Sequence, residues 1–421
     1  MTTEIRVAEL FAGVGGFRLG LDGYGKPGDT FYKEPAGNFH TVWANQWEPA
    51  GQESKQFAWR CYEARFGAGS CVNQDIAKAI EEAQRGERII PEFDMLVGGF
   101  PCQDYSVAKP LSLAAGIEGH KGVLWWSINQ LLEMRRPKLV LLENVDRLLK
   151  SPASQRGRDF AIILSCFHRL GYNVEWHVIN AAEYGMPQRR RRAYIYAEHD
   201  SDWGDSTERL FSTGVLAQAF PIQRSAKNPG EQRLSIDEDP YKVTKTFGVG
   251  DKVSVFRNAG VMIDGQVLTV KVDPVYDGPH ATLGDVLVDE SEVPEQFWID
   301  DKKLASWEYL KGGKKEQRTT SAGFEYTYSE GPVAFPDPLT SPSRTILTGE
   351  GGAGASRTKH VVEQGGRLRR LIPDELDQLQ MFPRGWTNTG MSDGHRAFCM
   401  GNALVTGIPR RIGKVIAAQQ Q

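Results

Sequence analysis

The chain has 421 residues, 40% hydrophobic and 24% charged, with 50 Lys and Arg against 53 Asp and Glu. That balance describes a globular protein large enough for two domains, and a net charge of −3 leaves any nucleic-acid binding to local basic patches. No apolar run approaches the ~18 residues of a membrane span and the opening MTTEIRVAEL lacks a signal-peptide layout, so a cytoplasmic location is expected.

From residue 5 to about 198, apolar strands alternate with amphipathic helical stretches. IRVAEL (5–10) predicts a strand, followed by a glycine turn and a short helix over FRLGL. HTVWANQ (40–46) predicts a second strand and ESKQFAWRCYEARFG a helix. FDMLVGG (93–99) predicts a third strand, GVLWWSINQLLEMRR a helix and PKLVLLENV (137–145) an apolar strand ending in polar residues. DFAIILSCFHRLG predicts a helix stopped by glycine, and YNVEWHVIN and RRAYIYAEH close the series. Strands alternating with helices imply a mostly parallel, doubly wound α/β sheet. Beyond residue 199 the texture changes to short alternating segments such as DKVSVF, GQVLTVKV and FEYTYSE, broken by Gly, Pro and Asp, as in a second, irregular β-rich domain. Helical patterning returns with IPDELDQLQMF and HRAFCMGNALVTGIPRRIGKVIAAQ.

Chemistry in such sheets collects at the carboxyl ends of the strands. ELFAGVGGF (9–17) is a strand end, a turn on Gly13, Gly15 and Gly16, and a helix start, open either to a nucleotide-like ligand or to no ligand at all. Its spacing is not the dinucleotide G-x-G-x-x-G, which disfavours a nicotinamide oxidoreductase. The second strand ends in Gln46, where an acid usually bonds a ribose hydroxyl, with Trp47 and Glu48 following. Trp47 offers a face for an adenine and reads equally as a half-buried surface residue. A third strand end at NQDIA offers Asp75.

VGGFPCQ (97–103) raises a cysteine behind a proline in a glycine-rich loop, where a thiolate nucleophile is well placed. The other cysteines, Cys61, Cys71, Cys166 and Cys399, are scattered, and neither a disulfide framework nor a metal cluster is suggested. LVLLENV ends in Glu143, a carboxylate at the mouth of an apolar strand, where desolvation raises its pKa and suits it to proton donation. In MPQRRRRAYIY (186–196) strand alternation puts Arg190 and Arg192 on one face, Arg189 and Arg191 on the other. This run and GGRLRR (365–370) are the two local basic patches.

In their order and spacing, F-A-G-x-G-G, then P-C-Q, then E-N-V, then Q-x-R-x-R, then a variable region and a late GNALV, the chain resembles the DNA (cytosine-5) methyltransferases. The resemblance covers the first ~198 and the last ~55 residues. It implies a Rossmann-like, S-adenosyl-methionine-dependent catalytic domain of 1–198 with 396–421, and a target-recognition domain of 199–395. Phe11, Val14 and Gly16 would line the cofactor pocket, with Gln46, Trp47, Asp75, Ile76, Pro101, Leu124 and Asn402 around it. Cys102 would attack cytosine C6, Glu143 would bond N3 and the exocyclic amine, Arg190 and Arg192 would hold the base and its phosphate, and Asn144 would brace the Cys102 loop. Gln103 and Ser106 would meet DNA, and 103–122 would close as a lid over a flipped base. Double-stranded DNA is the implied partner, acted on by a monomer at a bacterial or phage-type nucleoid, with a restriction endonuclease as candidate companion. The chain departs from the family at Gln46, where an acid is usual, at Ala403, where a serine is usual, and at Asp104, an acid in a DNA-facing loop. A tRNA methyltransferase of the same family and a DNA-binding module without activity are the alternatives; the long variable region opposes the first, the intact P-C-Q and E-N-V the second.

Overall fold

A computed structural model describes residues 4–48, 55–87, 89–100, 123–227, 229–319 and 323–420. The first six strands are β1 (Ile5–Leu10), β2 (Phe39–Asn45), β3 (Met95–Gly99), β4 (Leu139–Val145), β5 (Tyr172–Asn180) and β6 (Arg191–His199). The helices between them are α1 (Gly16–Leu21), α2 (Phe57–Phe66), α3 (Ile76–Gln84), α4 (Val123–Arg135) and α5 (Arg158–Arg169). Strands β2, β1, β3 and β4 lie side by side in parallel, and β6 and β5 continue the sheet antiparallel. The strand expected near NQDIA is reduced to one parallel bridge between Asn45 and Val72.

The central strands are mostly apolar because both faces are covered. Ala8, Leu10, Leu96, Val140 and Leu142 face one way and pack against Ile76 and Ile80, Trp125 and Ile128, and Phe160 and Ile163. Val7, Val97, Leu139 and Leu141 face the other way and pack against Phe17 and Leu21 of α1. That second layer is completed from the far end of the sequence. The remaining helices are α6 (Ser206–Glu208), α7 (Val215–Ala219), α8 (Pro240–Thr246), α9 (Asp301–Lys311), α10 (Pro373–Leu379), α11 (Asp393–Asn402) and α12 (Gly407–Gln419). Ile408, Ile412 and Ile416 of α12 recur every four residues, a single helical stripe, and are buried in the same cluster as α1.

Residues 222–370 contain β7 (Ile222–Arg224), β8 (Glu231–Ser235), β9 (Ala259–Ile263), β10 (Gln266–Val270), β11 (Val272–Pro274), β12 (Lys314–Thr319), β13 (Glu325–Glu330), β14 (Val361–Gln364) and β15 (Arg367–Arg370). Three of them add antiparallel to β5 in the order β9-β10-β8, so the main sheet has nine strands. β7 with β11, β12 with β13 and β14 with β15 form separate two-stranded pairs. DKVSVF alternates like a strand but lies in bends and turns, with Val253 exposed and Ser254 Oγ donating to the Leu149 carbonyl.

Candidate active site

At the end of β1 the chain enters the turn through two left-handed residues, Phe11 (φ 53°) and Gly13 (φ 55°). A Cβ on Gly13 would meet only the Phe11 carbonyl, at 4.0 Å, so a ligand can approach this backbone. The turn is fastened from β2. Gln46 Oε1 accepts from Gly13 N–H at 2.8 Å, and Gln46 Nε2 donates to Glu48 Oε1 at 3.2 Å. Both ends of the Gln46 amide are thus used within the protein, and the half-buried Glu48 carboxylate stands beside it, its pKa raised by burial.

Of the residues expected around the cofactor, Phe11, Ile76 and Leu124 meet in one apolar cluster. Asp75 caps α3, accepting from Ala77 N–H at 2.8 Å. Trp47 is half-buried at the end of β2. Val14 is buried with Leu376, Phe382 and Trp386, and its carbonyl accepts the Trp386 indole N–H at 2.9 Å. Gly16 lies beneath Leu404, whose Cγ would be 3.1 Å from an added Cβ, so the late GNALV block does fold back on the first turn. Asn402 is exposed at the end of α11.

Glu143 emerges on β4 directly opposite Gly99 of β3. Arg192 Nε is 2.9 Å from Glu143 Oε1. Burial raises the Glu143 pKa, while Arg192 and Arg190 pull it back. Arg190 is buried, with Nη1 donating to the Ile346 carbonyl at 3.2 Å and Nη2 to the Gly401 carbonyl at 3.0 Å, while Nε has no hydrogen-bond partner among the described residues. Burial, joined by repulsion from Arg192, lowers its pKa to about 9. Arg189 and Arg191 point outward, as the alternation predicts. Asn144 Nδ2 donates to the Phe100 carbonyl at 2.8 Å, fixing the residue from which the P-C-Q segment departs.

Pro101, Cys102, Gln103, Asp104, Ser106 and the segment 103–122 lie outside the described residues. Cys102 follows Phe100 by two positions, a span of at most about 7 Å. Cys61, Cys71, Cys166 and Cys399 are buried, and burial pushes their thiols up, Cys61 to about 11 and Cys166 to about 12, which makes them inert core residues.

Two features depart from the sequence reading. GGRLRR is not a free basic patch: Arg369 is buried against Glu375, Nη1 and Nη2 lying 2.9 and 2.6 Å from the two carboxylate oxygens, and Arg370 donates to the Gly352 and Gln296 carbonyls. Burial of these guanidiniums against a fixed acid and carbonyls removes them from any surface. Glu9, given no role above, accepts from Phe17 and Arg18 N–H at 3.1 and 3.4 Å and from the Tyr62 hydroxyl at 2.9 Å, tying β1 to the start of α1. Burial pushes its pKa to about 7. The signal for it was an acid inside an apolar strand.

Among the described residues no group of three or more His, Cys, Asp or Glu could hold a metal ion, and no helix is long and apolar enough to cross a membrane. Residues 5–418 match the family model described as C-5 cytosine-specific DNA methylase. The chain is 44% identical to the Type II methyltransferase M.Sau3AI of Staphylococcus aureus, over 98% of this chain and 95% of that protein. It is 34% identical to the Type II methyltransferase M.NgoBI of Neisseria gonorrhoeae, over 47% of this chain and 51% of that protein. Its fold resembles that of the S. pombe Dnmt2 methyltransferase, with a TM-score of 0.56 at 13% identity, over 97% of this chain and 96% of that one.

Proposed function

Because the chain belongs to the C-5 cytosine-specific DNA methylases, it transfers a methyl group from S-adenosyl-methionine to C5 of a cytosine in DNA, and we propose that Cys102 and Glu143 carry that chemistry. The observation that carries the assignment is the pairing of two strand ends. Asn144 holds the Phe100 carbonyl at 2.8 Å, so the chain leaves for Cys102 beside the Glu143 carboxyl.

The turn fits the cofactor: Gly13 leaves its backbone open, and Glu48 stands near it as an anionic acceptor for ribose hydroxyls. Phe11, Ile76 and Leu124 would supply the apolar wall, with Trp47, Asp75 and Asn402 at its edge and Pro101 closing it. When bound, S-adenosyl-methionine supplies an electrophilic methyl group on its sulfonium.

Cytosine C5 is a poor nucleophile, and the protein's own groups change that. The Cys102 thiolate attacks C6, forming a covalent bond. Glu143, its pKa raised by burial, bonds N3 and supplies a proton as charge builds on the ring, leaving an enamine with a nucleophilic C5. Arg192 orients Glu143, and Arg190 adds positive charge behind it. After methylation a base removes the C5 proton, Cys102 departs as thiolate and the N3 proton returns to Glu143, restoring the aromatic ring. The reaction needs the base out of its stack, at roughly a few kcal/mol. Residues 199–395 read the sequence and 1–198 with 396–421 do the chemistry. The protein acts as a monomer in the cytoplasm at the nucleoid, and the Type II designation of its relatives supports a restriction endonuclease as companion.

Cys102→Ser tests the assignment. Methylation of duplex DNA should vanish while S-adenosyl-homocysteine binds nearly as before, and wild type should form a stable adduct with 5-fluorocytosine DNA. Normal methylation by the variant would refute the nucleophile.

A further inference from the structure

The pair β12–β13 belongs to neither core layer. An isolated two-stranded ribbon is marginal in water, yet this one is built with care. Its register sets Lys314, Glu316 and Arg318 opposite Glu330, Tyr328 and Tyr326 on one face, and Lys315, Gln317 and Thr319 opposite Ser329, Thr327 and Glu325 on the other. The first face meets α9: the Tyr309 hydroxyl donates to Glu316 Oε1 at 3.2 Å and Lys314 lies over the Tyr309 ring at 4.5 Å. On the second face all six residues are exposed and none is apolar. Gln317 Nε2 donates to Thr327 Oγ1 at 3.0 Å across the strands, holding two of its side chains in place.

The ribbon's base is tied toward the catalytic residues. Arg357 donates to the Gly312 carbonyl at 3.2 Å and to the Gly331 carbonyl, and pairs with Glu330 at 2.8 Å. Arg344 reaches the neighbouring Thr358 and Lys359 carbonyls at 3.0 Å each. The segment after Arg344 clasps the arginine run: Thr345 Oγ1 donates to the Arg189 carbonyl and the Ile346 carbonyl accepts Arg190.

Resting on the assignment as a DNA methyltransferase, we propose that the ribbon enters a groove of duplex DNA and reads base edges with the face carrying Lys315, Gln317 and Thr327. A two-stranded ribbon fits a B-DNA major groove about 12 Å wide. Lys pairs with guanine, Gln with adenine, Ser and Thr with either, and Glu325 is an acceptor suited to the cytosine amine. Of the charged residues on this face, Lys315 is a cation for guanine or phosphate and Glu325 an acid at the other end. Anchorage through Arg357 and Arg344 keeps ribbon and Arg190 in fixed register, so a base read by one lies a set distance from the base handled by the other.

The test is methylation of a random-sequence duplex library, read by sequencing the methylated cytosines, for wild type, Gln317→Ala, Thr327→Ala and Lys315→Ala. All three positions are exposed, and S-adenosyl-homocysteine binding checks that each variant is folded. At least one variant should lose about tenfold or more discrimination at one base position while the others keep their preference. An unchanged sequence preference in all three overturns the proposal. So does a uniform loss across sequences with a shallower salt dependence, which marks phosphate contact alone, and so does a change of oligomeric state in place of a change in preference. Wild type that methylates no duplex DNA sinks the functional assignment instead, and this proposal with it.

Discussion

Gly99→Ala probes the position of Glu143, proposed above as the catalytic carboxyl, without replacing it. A Cβ at this position would lie 3.1 Å from Glu143 Oε2, where ordinary contact begins at 3.4 Å. The carboxylate must therefore retreat by a few tenths of an ångström. Its other oxygen is held 2.9 Å from Arg192 Nε, so it pivots about that bond and tilts away from its donor line. A misplacement of about 1 Å costs on the order of a hundredfold in rate, and scaling that to the smaller tilt gives about a three- to fivefold loss of single-turnover methylation. Stability moves little. An alanine gains about 0.5–1 kcal/mol over glycine within a strand, which offsets the crowding and keeps the melting temperature within about 2–4 °C. Single-turnover transfer of labelled methyl, alongside calorimetric titration with S-adenosyl-homocysteine, separates the effects. A rate equal to wild type would show that this contact does not set the carboxyl; a large loss of cofactor affinity would show that Gly99 serves the other site.

Glu48→Gln should weaken S-adenosyl-homocysteine binding about tenfold, the loss of a charge-assisted bond to ribose. An analogue lacking the ribose 2′-hydroxyl should be penalised in wild type and not in the variant; equal penalties in both would return the ribose to Gln46. Glu9→Gln tests burial of an acid. The folded pKa of about 7 lies above the ordinary carboxylate value of 4.5, so the stabilising proton is fully held below about pH 4.5 and lost as pH rises through 7. That difference corresponds to about 3 kcal/mol at most. The variant, neutral throughout, should gain in urea midpoint relative to wild type between pH 5 and pH 8, and parallel profiles would refute a raised Glu9.

The first half of the fold was legible because its strands are short apolar runs with polar residues at their ends. Glu143-Asn144 after an apolar run and Gln188 to Arg192 before one are local patterns, and local pattern fixes which side a residue takes once the strand exists. The inward pair Arg190 and Arg192 followed from period two alone. Pairing between distant segments has no such signature. Nothing within GQVLTVKV says that it joins the main sheet through β9, since that depends on an edge left open by β5. DKVSVF carries the right alternation, but the chain around it supplies no partner strand, and it stays in turns. Arg369 looked like surface charge because its acid, Glu375, lies in α10, beyond the two residues that link β15 to that helix, where sequence spacing gives no warning of a bidentate pair. Gln46 was read as a ribose ligand from its place at the strand end; that its amide also bonds Gly13 N–H and Glu48 is something only the folded turn reveals.

Arg190 explains why an enzyme of this kind needs the end of its chain beside the beginning. A guanidinium at that depth is costly unless its donors are met. Its two carbonyl acceptors come from elsewhere in the sequence: Ile346 from the segment that follows the ribbon, Gly401 from α11. Gln380 Nε2 closes the same joint by donating to the Met400 and Ala403 carbonyls, and the Gln380 carbonyl accepts from Thr406 N–H at the start of α12. Helix α12 then packs its isoleucine stripe on α1, below the glycine turn. One buried cation therefore joins the start of β6 to the segment around Ile346 and to the end of α11. Separating them would strand a charge in the interior.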